Sequence, residues 1–308
     1  MINTALLDRL LAGRGELALD RAALPGLAAM AAVKLGPDGR PLAAFGEGTP
    51  GRVQVQRVGD VAIVPLTGYI STDPFMTWLF GGTSPDAFLR AIRESVEDAT
   101  IAHVLILADS PGGEVRLVPE AATEIRRLRS QKPITALARP LAASAAYWLA
   151  AQAGTLIVTP SGDVGSVGVY AMHAEQSRRL DEIGITVTLI SSTPEKVELS
   201  DVAPLSDDAR AFVKGRIDER YREFLEALAA GRRVSVDTAR KSYGSGRVYG
   251  AAEALRRGLV DRIATVEEVL SDFASGRPSG RRGARSAQAF DQAAADEAAI
   301  IAALTSEV

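Results

Sequence analysis

Ser144 sits in residues 139–151, RPLAASAAYWLAA, with small alanines on both sides and an apolar run directly after it. Ala142, Ala143, Ala145 and Ala146 leave its hydroxyl uncrowded, while Tyr147, Trp148 and Leu149 begin a helix. A serine in the first turn of a helix is rigidly held, and a helix N-terminus favours developing negative charge. An isolated serine before an apolar run is ordinarily an N-cap or a small packing residue. Upstream, however, stands Asp109-Ser110-Pro111-Gly112-Gly113, expected as a turn between a strand and a helix. The backbone N–H groups of Gly112 and Gly113 can approach a ligand closely there, as an oxyanion hole requires. Alone, a Pro-Gly-Gly turn is usually only a turn, and Asp109 reads as a turn former.

A serine hydroxyl is a poor nucleophile until a neighbouring base takes its proton. The chain has two histidines, His103 and His173, and no cysteine. Disulfides, thiolate metal sites and a cysteine nucleophile are therefore excluded, and a histidine-rich metal centre is implausible. His103 precedes an apolar strand and reads as structural, whereas His173 follows Ser144 at a spacing not far from what a Ser-His-Asp triad needs. Lys196, in residues 191–199, SSTPEKVEL, is the first lysine after Ser144, and Lys214 is the next. A lysine serves as a base only when burial or neighbouring positive charge brings its pKa well below about 10.4. Its flanks, Val197 and Leu199, do not decide its burial, and Glu195 beside it would favour the charged form.

These residues need rigid elements to position them, and the chain supplies them in alternation. A strand is expected over 61–66, after an alternation at Val53, Val55 and Val58 that fits a preceding strand. Residues 74–82, PFMTWLFGG, are too aromatic for an ordinary exposed loop and suit either local packing or the lining of a substrate groove or subunit contact. Ser84 as cap and Pro85 at the first position open a helix to residue 97 with Phe88, Leu89, Ile92 and Val96 on one face. Then follow a strand over 103–108, a helix over 115–129, a strand over 134–138 and a helix over 145–153. Strands over 155–158 and 167–172, a helix over 174–183 and a strand over 186–190 continue the series. A long amphipathic helix spans 207–230, with Phe212, Ile217, Tyr221, Phe224 and Leu228 as its apolar positions. Two shorter helices lie around Thr238 and Ala251, and the domain ends near residues 269–273. Such alternation predicts an α/β domain with repeated crossover connections.

The expected organisation is a helical or loosely ordered segment over 1–50, with Leu6, Leu7, Leu10 and Leu11 at helical spacing, then a main domain over 51–273. A flexible Arg/Gly/Ser linker and an alanine-rich tail cover 274–308. With 308 residues, 47% hydrophobic content and a net charge of -3, the chain reads as a globular protein with no electrostatic reason to bind nucleic acid. No run approaches the roughly 20 apolar residues of a membrane span. The first twenty residues lack the basic start, apolar core and small-residue cleavage site of a secretory signal. The expected location is cytoplasmic.

Four motifs occur in order: DSPGGEV, LAASAAYWLAAQA, TPSGDVGSVGV and GRVYGAAEALRRGLVD. Together they resemble the signal peptide peptidase A family of serine proteases, especially its bacteriophage members that act as capsid assembly proteases. The resemblance covers roughly residues 61–263 and implies a Clp-protease/crotonase-like fold of repeated β-β-α units. It makes Ser144 the nucleophile and Lys196 the general base, lying after the GSVGV motif, a helix and a strand. Ser166, within GSVGV, falls where a hydroxyl orients the lysine amine, and Gly112 and Gly113 would complete the oxyanion hole. Two departures stand out. Thr193-Pro194-Glu195 replace the small residues and histidine that precede the lysine in many relatives. Ala145-Ala146 replace the paired glycines of the cellular enzymes.

The resemblance further implies homo-oligomers with sites near subunit contacts; no cofactor and no metal are expected. Its substrates would be scaffold and prohead proteins and the chain's own C-terminal tail, in the host cytoplasm or prohead for a phage-encoded chain. Three other readings stay open: a non-catalytic assembly protein on the same fold, a Clp-type triad through His173, and a crotonase-type acyl-CoA enzyme. The last is disfavoured, because carboxylate bases there leave the AAS serine and the lysine without a task.

Overall fold

The computed structural model describes residues 15–35 and 53–275. They build a mixed α/β fold on a nine-stranded sheet whose main path runs β2-β3-β4-β5-β6-β9. Its strands are β1 (Leu17–Leu19), β2 (Gln56–Val58), β3 (Val61–Ile70), β4 (His103–Glu114), β5 (Ile134–Ala143), β6 (Thr155–Val158), β7 (Asp163–Gly165), β8 (Val248–Gly250) and β9 (Arg262–Ile263). The helices of six or more residues are α1 (Leu24–Lys34), α2 (Pro74–Leu79), α3 (Pro85–Glu97), α4 (Val118–Leu128), α5 (Ala145–Ala150), α6 (Ser177–Glu182), α7 (Asp207–Arg232), α8 (Ala251–Arg257) and α9 (Val266–Ala274), with short helical turns at Val236–Thr238 and Ala239–Tyr243. Strands β3 to β6 are parallel, in a register that aligns Val64 with Ile106, Ile106 with Ala136 and Ala136 with Leu156.

A parallel sheet covered on both faces needs apolar side chains on both, which is why these strands read as near-continuous hydrophobic runs. Alternate residues divide between the two faces. Val64, Leu66, Val104, Ile106, Ala136 and Leu156 join the larger core under α3, α4, α5 and the C-terminal part of α7. Ile63, Leu105, Leu137 and Ile157 point the other way, where α9 covers them with Val269 and Phe273. Trp148 of α5 stacks on Phe224 of α7 with ring centroids 4.3 Å apart and planes at 7°, both side chains fully buried. Burying each such side chain contributes about 1.5–3 kcal/mol.

Near its C-terminal end β4 changes neighbours. Up to Ser110, paired with Ala142, it lies beside β5; from Gly112 to Glu114 it pairs instead with β1, which runs antiparallel to it. Strand β5 meanwhile turns to pair its last residues, Leu141 to Ala143, with β7. The fork between β4 and β5 lies at the carboxyl ends of the parallel strands.

Most expected elements are present, with their ends shifted. The stretch 109–113, expected as a turn, stays in β4, because β3 continues beside it with Tyr69 opposite Gly112 and Ile70 opposite Gly113. Residues 167–172, expected as a strand, make a single antiparallel bridge, Leu17 to Tyr170. Residues 186–190, with strand-like alternation, have no strand partner among the described residues and stand exposed. The helix expected over 174–183 shortens to Ser177–Glu182. Helix α7 is apolar-faced as expected, but its N-terminal half stands off the core: Phe212 is 56% exposed. The aromatic stretch 74–82 packs Met76, Leu79 and Phe80 against Leu17, Leu19 and Leu27. The leucines at 6–11 and the tail from residue 276 lie outside the described residues. No described helix is long and apolar enough to cross a membrane.

The C-terminal end of α7 is fastened to the sheet by an almost buried ion pair. Arg232 donates to both Asp261 oxygens at 2.7 and 2.8 Å, and Asp261 also accepts from the Leu156 N–H at 2.9 Å. Removing one partner leaves the other charge buried and unpaired, which costs more than the pair itself contributes. Asp261→Ala is expected to lower stability by about 3–5 kcal/mol, read from the midpoint of urea unfolding.

Candidate active site

Ser144 lies where β5 becomes α5, with φ 55° and ψ -118°, a conformation that side-chain-bearing residues rarely adopt. Strain of this kind costs on the order of 1–3 kcal/mol and persists only where the surroundings over-determine it. Here the Ser144 N–H donates to the Gly165 carbonyl of β7 at 2.7 Å, and its own carbonyl accepts from the Trp148 N–H at 2.9 Å. Ala143 pairs with Gly165 just before the bend, and Ala142, Ala143, Ala145 and Ala146 are fully buried around it. The alanines seen in sequence are thus small because sheet and helix close on both sides of the bend. The serine hydroxyl does not cap α5. Its Oγ is buried and has no hydrogen-bond partner among the described residues. A strained backbone carrying a buried hydroxyl without a partner costs stability twice over. The strand-to-helix bend has the backbone shape of a nucleophile elbow, with the serine Oγ covered.

Gly112 reaches this point from β4. A Cβ placed on it would lie 2.9 Å from Ser144 Cβ, 2.9 Å from the Ala145 nitrogen and 2.3 Å from the Ala18 carbonyl oxygen, so only glycine fits. Its N–H donates to Ser110 Oγ at 3.1 Å, and Ser110 Oγ in turn donates to the Gly68 carbonyl at 2.6 Å. Gly113 is also obligatory, since a Cβ there would meet the Ile70 carbonyl oxygen at 2.0 Å. Ala145, beside this cluster, opens α5, where the first N–H groups lack intrahelical acceptors. Its amide is a candidate oxyanion donor that the sequence reading did not name. The cue was its place directly after the nucleophile at a helix start.

Ser166 is adjacent to Gly165, whose carbonyl holds the Ser144 amide. It is buried at 6% exposure, has φ 54°, and donates its N–H to the Arg247 carbonyl at 2.7 Å. Lys196 is not brought to this cluster. It stands exposed on the single turn Pro194–Lys196, and no hydrogen bond joins it to Ser144. Glu195 next to it is held below the usual carboxylate range by its own backbone N–H and by the Thr193 hydroxyl.

Neither histidine bonds to Ser144 Oγ. His103 stacks on Phe273 with centroids 4.8 Å apart, in keeping with a structural role. His173 lines a groove of about 1100 Å³ between residues 171–176, residues 199–205 and the N-terminal half of α7, with Nε2 buried and without a partner among the described residues. Burial pushes the Asp109 carboxyl up, and its backbone is paired with Thr67 in the β3–β4 ladder. Ser144, Gly112, Gly113 and Ser166 are therefore assembled within the described chain, and Lys196 is not.

Residues 126–277, which include Ser144, Ser166 and Lys196, match peptidase family S49. Over 255 residues the chain is 30% identical to the head-tail preconnector protein GP5 of Enterobacteria phage P21, covering 80% of this chain and 50% of that protein. It is 28% identical to the capsid assembly protease C of Escherichia phage lambda, covering 75% of this chain and 53% of the relative. Protease 4 of Haemophilus influenzae is 25% identical over 80% of this chain and 42% of its own length. The chain thus spans about half the length of the curated relatives it matches.

The strain at Ser144 is separable from the hydroxyl. Glycine adopts the observed φ and ψ freely, whereas alanine does not. Ser144→Gly is expected to be more stable than Ser144→Ala by about 1 kcal/mol, in parallel denaturant titrations of the two variants.

Proposed function

The chain is a relative of peptidase family S49, and from that premise we propose that it is a serine endopeptidase which cleaves peptide bonds through an acyl-enzyme on Ser144. The observation that carries this is the Ser144 elbow: a strained, buried and unpaired hydroxyl inside the segment that matches the family. Lys196 takes the serine proton and Ser166 orients the lysine amine. The N–H groups of Gly112, Gly113 and Ala145 bind the oxygen of the tetrahedral intermediate once the Gly112 N–H leaves Ser110 Oγ and Gly113 is freed from Ala18. The fold is of the Clp-protease/crotonase-like type. Its peptidase unit covers 51–273, with the segments 1–50 and 274–308 as extensions.

Lys196 lies on a stretch that exposes Ile183, Ile185, Val187, Leu189 and Ile190, the last at 93%. An exposed apolar row of this kind marks an association surface. In a homo-oligomer the burial of this row would carry Lys196 to a serine, so that the dyad forms on assembly. Two of the relatives are named for phage head and capsid functions. The substrates we propose are accordingly scaffold and prohead proteins and the chain's own C-terminal tail, in the host cytoplasm or the prohead. The separation of Lys196 from Ser144 also favours a second reading, a non-catalytic assembly protein on the same fold.

Cleavage of an unfolded protein substrate separates these readings. Ser144→Ala and Lys196→Ala are expected to lower the rate at least about a hundredfold, the scale of losing a nucleophile or its base, while His173→Ala retains it. Loss with a folded His173→Ala would replace the lysine by the histidine. No cleavage by the wild-type oligomer would leave the assembly reading. Replacing both Leu189 and Ile190 by Asp is expected to yield monomers on size-exclusion chromatography, with cleavage falling in parallel.

A further inference from the structure

We propose that residues 16–20 occupy the cleft in which this peptidase holds its substrate, so that the chain carries its own competitor. The same contacts name the substrate class: an extended peptide with apolar side chains at alternate positions. The inference rests on the peptidase reading of Ser144 and concerns what reaches it.

Strand β1 is held on both edges, as a peptide laid into a slot would be. On one edge it runs antiparallel to β4, with Leu17 opposite Glu114, Ala18 opposite Gly113 and Leu19 opposite Gly112. The ladder is bracketed by Val115 N–H to the Glu16 carbonyl at 3.0 Å and Asp20 N–H to the Pro111 carbonyl at 2.8 Å. Alternation along an antiparallel pair then makes Ala18 and Gly113 a hydrogen-bonded pair. On the other edge the Leu17 N–H donates to the Tyr170 carbonyl at 2.8 Å, and the Tyr170 N–H donates back at 2.9 Å. An extended segment bound through both main-chain edges, with pockets for alternate side chains, is how proteins hold peptides by strand addition.

Its placement is that of a substrate. The Ala18 carbonyl, the Ala145 N–H and Ser144 Cβ crowd around one point beside Gly112. Gly113, a candidate donor to the reaction intermediate, has its backbone engaged by Ala18 instead. Leu17 and Leu19, at 0% and 3% exposure, point into an apolar pocket with Tyr69, Met76, Phe80 and Tyr170, while the small Ala18 faces the main core. Ser144 itself is 1% exposed, so a peptide bond reaches it only when a covering segment leaves.

The connection of β1 suits that movement. Three residues form the strand, and α1 anchors the arm beyond it, with Leu27 and Ala31 in the same cluster as Leu79 and Phe80. Lys34 Nζ adds a bond to the Trp78 carbonyl at 2.5 Å. A strand tethered this way competes as an intramolecular ligand at an effective concentration on the order of millimolar. Only substrates that pair well, or arrive at high local concentration as in an assembled particle, displace it.

The natural chain contains no cysteine, so a single pair can lock the strand. Leu17 and Glu114 are a non-hydrogen-bonded pair, with Cα atoms about 4.5 Å apart in such ladders, within disulfide reach. The double variant Leu17→Cys/Glu114→Cys is compared oxidised and reduced, using as probe a fluorescein-labelled peptide RGELALDRA, the sequence of residues 14–22. The oxidised form is expected to bind the peptide at least tenfold more weakly than the reduced form and to cleave an unfolded protein at least tenfold more slowly. Equal peptide binding by the two forms would overturn the proposal. As a second variant, Ala18→Pro removes an N–H from the β1 ladder and is expected to raise both binding and cleavage severalfold. A folded Ala18→Pro protein in which both fall would show that β1 is a fixed strand of the sheet, against the proposal. A binding difference of the expected sign, with cleavage by neither form, would support the occupied cleft while refuting the peptidase reading alone.

Discussion

The hydrogen bond from the Ser144 amide to the Gly165 carbonyl fixes the point on which the site depends. It closes a bend that the backbone of Ser144 would not otherwise make, and it can form only because β5 swings away from β4 to pair with β7. That divergence opens the fork which Gly112 enters from one side and the start of α5 from the other. The strain at Ser144 is offset by the dense alanine packing around it and by Trp148 stacked on Phe224 beneath the helix. The larger core therefore does more than stabilise the fold. It holds one serine in a conformation it would abandon if released.

The glycines show the same economy of space. Gly112 and Gly113 were legible in the sequence as a permissive turn, and they are in fact strand residues. What makes them obligatory is crowding: β1, β3 and Ser144 approach them more closely than any side chain allows. The parallel strands, the start of α3 and the Ser144 helix could all be read from hydrophobic runs, Pro85 and the alanine cluster, because those signals are local; Ser84 stands at the N-cap of α3 without a side-chain capping bond. The strand expected at 186–190 has the alternation of a strand and no partner, since pairing is a property of two segments and only one is visible in a pattern. The role of β1 was illegible for the same reason. Three residues, Leu-Ala-Leu, carry no sign that their backbone will pair with Gly113 on one edge and Tyr170 on the other.

The division of the site follows from this. Ser144, Gly112, Gly113, Ala145 and Ser166 are held together by the sheet and by α5 within the described chain. Lys196 rides on a stretch with exposed Ile183, Ile185, Val187, Leu189 and Ile190 that nothing in the described chain covers. A peptidase acting among the proteins of its own assembly gains from both features. An arm across the cleft and a base supplied on association would each keep Ser144 from acting before its surroundings are built.

The most direct test of the central claim is covalent labelling of the assembled protein with a fluorophosphonate, followed by peptide mapping by mass spectrometry. The account predicts one phosphonyl group per chain, located on Ser144, with no labelling of Ser144→Ala and strongly reduced labelling of Lys196→Ala. Labelling at another serine, or none in a folded and assembled protein, would contradict the assignment of Ser144 as nucleophile.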